Sequence, residues 1–288
     1  MAGTISIQCV QAGSGAFLVD RGRSGLRGQG LVSGGPADPR AMIAANRLLS
    51  QAPYTPCLET TLNGGQWLLS GQGQIVITGA DMDWRLNGQL TDLYTLLYLD
   101  GDYLLTSGMA QQGLRSYLGI RGQWQAPRVL GSIEKGLPWT DVVTKGWSCT
   151  INWKDEADYQ MDYDHRQHWP SQPYTLPVVP GPEWSWLSPH EQKMVLTSSF
   201  TVAPNSSRQG IRLLPSSDFG FPGELPSLIS GPVLPGTVQL APSGLLLLGP
   251  DAQTVGGYPR ILLVTEPNAL AAAFQVGIGE EIGFSQLD

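Results

Sequence analysis

The sequence predicts a mainly β protein with a few short helices, and three observations support this fold class. The apolar runs are short, Gly and Pro separate them, and few residues are charged: the 288 residues include 36 Gly and 22 Pro, and 14% are charged. Because Gly and Pro interrupt helices and end strands, this punctuation is typical of many short strands. The length and the 41% hydrophobic content suffice for two halves, each with its own core.

The first half is predicted to contain several strands and one firm helix. Asp38 is a preferred N-cap residue and Pro39 suits the first helical position, so the helix is expected to begin there. Apolar residues follow Pro39 at helical spacing, which predicts that the helix packs on a sheet. The predicted strands of this half are Ile5–Val10, Cys57–Thr61, Trp67–Ser70, Ile75–Thr78 and Leu114–Leu118.

The second half is predicted to repeat this pattern of short strands. A short helix is expected at Pro267–Phe274, with Pro near its first turn. Residues 154–178 are polar and rich in Pro, so we place the connection there and predict halves at 1–170 and 171–288. The predicted strands of the second half are Phe200–Pro204, Leu245–Leu248, Ile261–Val264 and Glu281–Phe284.

Charge and cysteine content restrict the partners and the compartment. The formal net charge is −7 and no Lys/Arg cluster is present, so neither nucleic acid nor an anionic membrane surface is an expected partner. Cys9, Cys57 and Cys149 are odd in number and far apart, which predicts free thiols in a reducing compartment. No signal peptide or membrane span is evident, and we therefore predict a cytoplasmic protein.

The most informative stretch is the polar loop Gly249–Arg260, between two apolar runs. It is either a hairpin tip or a binding loop, and composition by itself favours the tip, since Gly and Pro chiefly mark turns. Two adjacent glycines, Gly256 and Gly257, are expected to take positive φ and to let a ligand approach the backbone. If the loop lines a cleft, Asp251→Ala is expected to leave folding intact and to remove activity.

The loop also carries a family resemblance. Residues 251–260, D-A-Q-T-V-G-G-Y-P-R, resemble the signature D-x-Q-T-x-G-G-Y-P-[KR], and residues 235–239, P-G-T-V-Q, resemble P-G-x-[VI]-Q. Both belong to the allophanate hydrolase second-subunit, or biotin-dependent carboxyltransferase-like, family. Its members include the C subunit of bacterial 5-oxoprolinase, KipA and part of urea carboxylase. The resemblance implies two related cyclophilin-like β-barrel halves.

Weaker matches cover most of the remaining chain. Residues 20–25 resemble D-x-G-R-x-G, but Phe17-Leu18-Val19 replaces the T-V-Q that precedes it in the family. The likeness fails after Ser132. Ser132 with Lys135 satisfies S-x-x-K, and His165 with His168 satisfies H-x-x-H, but two-point matches without a supporting context predict neither a nucleophile nor a metal site. We expect no metal centre.

The resemblance and the residue chemistry together predict a cleft. Asp251 could orient a donor or act as a base, Tyr258 could donate to a developing oxyanion, and Arg208 could hold an anion, so these three are the predicted catalytic residues. Taken singly, each also suits a purely structural role. The predicted substrate-binding residues are Asp20, Arg23, Arg115, Tyr117, Arg212, Gln239, Gln253, Thr254, Gly256 and Gly257.

The resemblance implies a subunit that acts only in a complex. The expected activity is ATP-dependent opening of 5-oxoproline to glutamate, with a KipI-like B subunit and a LamB/YcsF-like A subunit. The sequence has no P-loop for nucleotide and no biotin attachment motif, so ATP would be bound through the complex. Two alternatives remain: a non-catalytic KipA-like protein that binds a KipI-like partner, and a carboxyltransferase component of a biotin-dependent enzyme.

Overall fold

The computed structural model describes residues 2–134, 143–154, 174–215 and 228–287. The chain forms two compact units. The first comprises residues 1–23 and 34–168, and the second comprises residues 24–33 and 169–288. The short segment 24–33 therefore belongs with the second unit. The division predicted at residue 170 lies outside the described residues and stays a prediction.

The first unit is built on one antiparallel sheet. Its central strand order is β2-β3-β8-β4-β1-β10-β9, and β7 pairs with β4 off this path. The strands are β1 (Ala2–Gln11), β2 (Ala16–Val19), β3 (Cys57–Thr61), β4 (Gln66–Asp81), β5 (Arg85–Leu86), β6 (Gln89–Leu90), β7 (Leu97–Thr106), β8 (Gln112–Ile120), β9 (Gln123–Trp124) and β10 (Ser148–Lys154).

Strand β4 corrects one sequence prediction. Two separate strands were predicted at Trp67–Ser70 and Ile75–Thr78, but they form one strand of 16 residues. Its first part pairs with β1 and its second part with β8, so a single strand joins two stretches of the sheet. Gly71 makes this possible, because it has φ of 115° and a Cβ there would meet the backbone oxygen of Thr4.

Helix α1 (Pro39–Leu48) begins where the sequence predicts. The Asp38 carboxylate accepts the Arg40 backbone N–H at 3.0 Å, which confirms the predicted N-cap. The helix buries Met42 and Ala45 in an apolar cluster that also contains residues of β2, β3, β4 and β8. The helix therefore covers one face of the sheet, as its periodicity indicates.

The second unit is a closed barrel of seven strands, in the order β11-β18-β15-β16-β13-β12-β19. A two-stranded ribbon, β14 with β17, accompanies it. The elements are β11 (Tyr174–Pro180), α2 (Pro189–Thr197), β12 (Phe200–Val202), β13 (Gly210–Pro215), β14 (Gly231–Pro232), β15 (Thr237–Ala241), β16 (Gly244–Leu248), β17 (Val255–Gly256), β18 (Arg260–Leu263), α3 (Pro267–Ala273) and β19 (Glu281–Gln286). The predicted mainly β class and the two β halves are confirmed.

Two helices of this unit test the sequence-based predictions. Helix α3 confirms the prediction at Pro267. Helix α2 was not predicted, although Ser188 and Glu191 form a capping box, with each side chain bonded to the other residue's backbone N–H. The pattern S-x-x-E before an apolar residue is a recognised helix start, so the signal for α2 was present in the sequence.

The cysteines behave as predicted. Cys9, Cys57 and Cys149 are buried, and no disulfide joins them. Burial raises the pKa of the Cys57 thiol to about 12, which leaves it protonated and unreactive at neutral pH. No helix in the described part of the chain is long and apolar enough to cross a membrane.

Candidate functional site

The polar loop between β16 and β18 begins with a bidentate ion pair. Arg208 donates from Nε to Oδ2 of Asp251 at 2.7 Å and from Nη2 to Oδ1 at 2.9 Å. The Arg208 side chain is 4% exposed and that of Asp251 is 27% exposed. Planar matching of guanidinium and carboxylate makes this pair strong and geometrically specific. Two predicted catalytic residues thus lie together, and both oxygens of Asp251 are occupied by Arg208.

The middle of the loop is held by Arg27, which binds backbone carbonyl oxygens. Arg27 donates to the carbonyl oxygens of Ala252, Val233 and Gln253, at 3.2, 2.8 and 2.7 Å respectively. Val233 donates its N–H to the oxygen of Thr254 at 3.1 Å. Because the main chain makes these contacts, the loop has a defined conformation without using the side chains of Gln253 and Thr254.

The end of the loop is fixed by a second ion pair. Arg260 donates from Nε and Nη2 to the two carboxylate oxygens of Glu183, at 2.9 and 2.7 Å, and from Nη1 to the oxygen of Pro232. The hydrogen bonds from Arg260 lower the pKa of Glu183 below its usual value, so that the carboxylate stays charged. The loop is therefore anchored at both ends by bidentate pairs.

Gln239 lies behind the ribbon, fully buried. Its Nε2 donates to the carbonyl oxygen of Tyr258 at 3.0 Å, while its Oε1 accepts no hydrogen bond from the described residues. Such an acceptor is costly to bury without a partner. The Tyr258 side chain itself is 45% exposed, and Gln253 is also exposed. Gln253 and Tyr258 therefore present their side chains to the surface of this unit.

The two glycines correct a sequence-based prediction. Gly256 and Gly257 are absent from the glycines with positive φ, so the expectation of left-handed conformations there is wrong. Gly256 lies in extended β17, opposite Gly231. What excludes a side chain at Gly256 is packing: an added Cβ would lie 2.7 Å from Nε2 of Gln239 and 3.2 Å from Val233.

This packing separates the two positions in a testable way. Gly256→Ala is expected to destabilise the protein by about 1–3 kcal/mol, because the new methyl group overlaps Gln239. Gly257→Ala is the matched control and is expected to change stability by less than about 0.5 kcal/mol, since among the described residues its Cβ would meet only the Ser230 hydroxyl, at 3.2 Å. Chemical denaturation measures both; equal losses would contradict the packing argument.

Arg212 is the predicted residue of this unit that lies apart from the loop. It is exposed on β13 and lines a small cavity of about 280 Å³, together with residues of β15 and β16 and the turn between them. None of the residues 251–258 lines that cavity. Arg212 therefore does not share this cavity with Asp251, Gln253, Thr254 or Tyr258.

In the first unit, Asp20 and Arg23 form hydrogen bonds with the segment of residues 129–134. Asp20 accepts from the Ser132 hydroxyl at 2.6 Å and from the Ile133 N–H at 3.0 Å. Arg23 donates to the carbonyl oxygens of Val129 and Glu134. Both Asp20 and Arg23 are buried. These hydrogen bonds fix the path of residues 129–134.

The Glu134 side chain extends this network to Gly34 and Gly35. Its Oε2 accepts the N–H of Gly35 at 2.5 Å. Gly34 has φ of 64°, and a Cβ there would collide with the Glu134 carboxylate. The segment that replaces the family pattern after Ser132 thus supplies a buried acceptor. Lys135, His165 and His168 lie outside the described residues.

Arg115 and Tyr117 belong to a second buried network of the same unit. Glu59 and Tyr117 are directly opposite on β3 and β8, so their side chains share one face of the sheet. The Tyr117 hydroxyl donates to Glu59 at 2.7 Å and accepts the N–H of Asp38 at 2.7 Å. Arg115 lies 3.9 Å from the other Glu59 oxygen. These residues support the start of α1.

Sequence reasoning missed the partners that hold these residues. The missed residues are Arg27, Glu59, Arg128, Glu134, Glu183 and Arg260. Arg260 stood within the matched signature, and the available signal for Glu59 was a charged residue inside a predicted strand. Arg27 and Glu134 carried none. Among the described residues, no group of three or more His, Cys, Asp or Glu side chains is arranged to hold a metal ion.

The closed barrel and the antiparallel sheet make this a β protein of two units. Residues 29–286 match the family described as "Carboxyltransferase domain, subdomain A and B". The chain belongs to this family.

Named relatives extend this result. The chain is 28% identical to the C subunit of 5-oxoprolinase from Escherichia coli over 293 residues, covering 97% of this chain and 91% of the relative. It is also 28% identical to the corresponding 5-oxoprolinase subunit of Haemophilus influenzae, covering 96% and 90%. The crystal structure of the K. lactis urea amidolyase shares the fold, with a TM-score of 0.85 and 20% identity, over 98% of this chain but 19% of that chain.

Proposed function

We propose that this chain is a subunit of an ATP-dependent 5-oxoprolinase that acts with a KipI-like B subunit and a LamB/YcsF-like A subunit. The observation that carries the proposal is the extent of the likeness to the C subunits of two bacterial 5-oxoprolinases. That likeness runs over 91% and 90% of the two relatives, whereas the urea amidolyase likeness covers 19% of a much longer chain. A likeness over nearly the whole length of a relative favours the function of a separate subunit over that of a carboxyltransferase region within a longer enzyme.

The chemistry requires activation of an unreactive lactam. Phosphoryl transfer from ATP to the lactam oxygen releases ADP. Attack by one water then opens the ring as the amine leaves and gives the acyl phosphate, which a second water hydrolyses to glutamate and phosphate. In this proposal the chain contributes binding groups at the loop after β16. The Tyr258 hydroxyl and the Gln253 amide are exposed there and can donate to a carbonyl oxygen as it gains charge.

Within this proposal Arg208 and Asp251 position the loop. Both carboxylate oxygens of Asp251 accept from Arg208, so a proton acceptor at Asp251 would first have to leave the ion pair. The pair instead fixes the first turn of the loop, close to Ala252, while Arg27 fixes Ala252 and Gln253. Substrate contacts are then made by a surface whose backbone is already ordered, which lowers the entropy cost of binding.

Reconstitution tests the proposal. This chain, a B-type protein and an A-type protein from the same genome are purified separately and mixed in every combination. The complete mixture is expected to release phosphate in a manner that depends on 5-oxoproline, and every mixture that lacks one chain is expected to be inactive. Full turnover by this chain alone, or by the other two without it, would show that the assignment is wrong.

A second candidate is a non-catalytic KipA-like protein that binds a KipI-like partner. Two observations favour it. Asp251 is occupied by Arg208, and Val19, which replaces the polar Gln of the family pattern, is buried in the core. The same reconstitution separates the candidates, because this one predicts a stable complex with the B-type protein and no turnover in any mixture. The carboxyltransferase alternative would require carboxyl transfer from carboxybiotin.

A further inference from the structure

A large cavity lies in the first unit, and its described lining is positively charged. Its volume is about 1170 Å³, somewhat above the range of about 300–1,000 Å³ that is usual for small-molecule sites. The charged residues of that lining are Arg21, Arg121 and Arg128, with no Asp, Glu or Lys among them. On a chain with a net charge of −7, three arginines around one cavity mark a local reversal of charge.

Two of the arginines lie over aromatic side chains of the cavity wall. The guanidinium carbon of Arg21 lies 5.0 Å from the ring centroid of Tyr54, and that of Arg121 lies 5.9 Å from the ring of Trp153. Such stacking restricts the guanidinium plane without using its N–H groups. Arg21 is exposed and makes no hydrogen bond or ion pair with the described residues, so its donors are available to a ligand.

The third arginine is oriented by the buried network around Asp20. Arg128 donates from Nη1 to Oδ2 of Asp20 at 3.3 Å and to the oxygen of Gly131 at 3.2 Å, while its side chain remains 53% exposed. One guanidinium nitrogen is thus engaged with the protein. Asp20, a predicted binding residue, acts here as a positioning residue for a neighbour that lines the cavity.

A buried donor provides an independent sign of a ligand. Trp124 lines the cavity and is 4% exposed, and its indole Nε1 is buried without a hydrogen-bond partner among the described residues. A buried N–H without an acceptor is unfavourable, and a ligand oxygen would satisfy it. The neighbouring wall is ordered, since Gln51 accepts from the N–H of Gly122 and donates to Asn46.

We propose that this cavity binds a small polyanion of the phosphate class, with Arg21 and Arg128 as charged contacts and Trp124 as a neutral donor. Phosphate chains carry several oxygens and several charges, which suits guanidinium groups that approach from more than one side. The proposal stands on these contacts alone and does not rest on the proposed function.

Binding is tested on the full chain by isothermal titration calorimetry with two probes, inorganic tripolyphosphate and ATP. Each is expected to bind saturably at one site, more weakly as sodium chloride rises. Arg21→Gln is expected to weaken binding about tenfold, Arg21→Gln with Arg128→Gln about a hundredfold, and Trp124→Phe severalfold. Similar affinities would identify the phosphate chain as the recognised part, and tighter ATP binding would add a contribution from its nucleoside.

Arg85→Gln is the control, since Arg85 is an exposed arginine that pairs with Asp83 and does not line the cavity. It is expected to bind both probes as the unaltered protein does, and thermal melting verifies that every variant is folded. Absence of binding at millimolar probe, or equal affinity in the folded Arg21→Gln, Arg128→Gln double variant, would overturn the proposal. Neither outcome depends on 5-oxoproline turnover, so the two proposals fail separately.

Discussion

Glu59→Ala is expected to lower the free energy of unfolding by about 3–5 kcal/mol, the range for removing one partner from a buried charged network. Glu59 is fully buried on β3 and accepts from the Ala37 N–H at 2.9 Å and from the Tyr117 hydroxyl at 2.7 Å. Without the carboxylate, these two donors lose their acceptor and the Arg115 guanidinium loses the charge 3.9 Å away. The start of α1 would lose its attachment to the sheet.

Tyr117→Phe separates the network from simple loss of volume. It keeps the ring but removes the hydroxyl that donates to Glu59 and accepts from the Asp38 N–H, so a smaller loss of about 1–3 kcal/mol is expected. Burial, and then the nearby Glu59 and Asp38, raise the pKa of Tyr117 well above its usual value, so the phenol remains neutral. This protonation makes Tyr117 a fixed donor.

Equilibrium denaturation of Glu59→Ala, Tyr117→Phe and the exposed-site variant Arg85→Ala measures these differences. Arg85→Ala is expected to stay within about 0.5 kcal/mol of the unaltered protein, because it removes an exposed ion pair. A Glu59→Ala protein as stable as Arg85→Ala would contradict the structural role assigned to Glu59. That result would favour the substrate-binding role that the sequence predicts for Arg115 and Tyr117.

Local patterns predicted the elements of the fold better than their connections. The helix at Asp38 follows from a cap, a proline and helical spacing, all within a few residues. The strands β16 and β18 follow from apolar runs. Gly71, by contrast, lies between two predicted strands, and only the approach of Thr4 on β1 shows why a glycine is needed inside β4.

The candidate site shows the same limit more strongly. The motif residues Asp251 and Tyr258 could be selected from the sequence, but what holds them is distant in the chain. Arg27 contacts a carbonyl 226 positions away, and Arg23 contacts one 111 positions away. Such pairs arise from strand order and register, which composition and periodicity do not specify. The sequence therefore selected candidate residues and misjudged the conformation of Gly256.

Asp251→Ala is expected to destabilise the protein by about 2–4 kcal/mol, contrary to the sequence-based expectation of intact folding. The reason is its partner: Arg208 is 4% exposed and would lose two short charge-assisted hydrogen bonds. The partial exposure of Asp251 places the loss below that of a fully buried pair. Tyr258→Phe is the contrasting variant, expected to remain within about 0.5 kcal/mol because its hydroxyl bonds to no described residue.

A double-mutant cycle of Asp251→Ala and Arg208→Met isolates the pair from the rest of the loop. Each single variant is expected to be destabilised, and the double variant is expected to lose less than the sum, with a coupling of about 1–3 kcal/mol. Assayed in the reconstituted complex, Asp251→Ala should lose activity together with stability, whereas Tyr258→Phe should lose activity while its melting curve is unchanged. Additive losses in the cycle would mean that the ion pair does not hold the loop, and an inactive but fully stable Asp251→Ala protein would restore Asp251 to a direct chemical role.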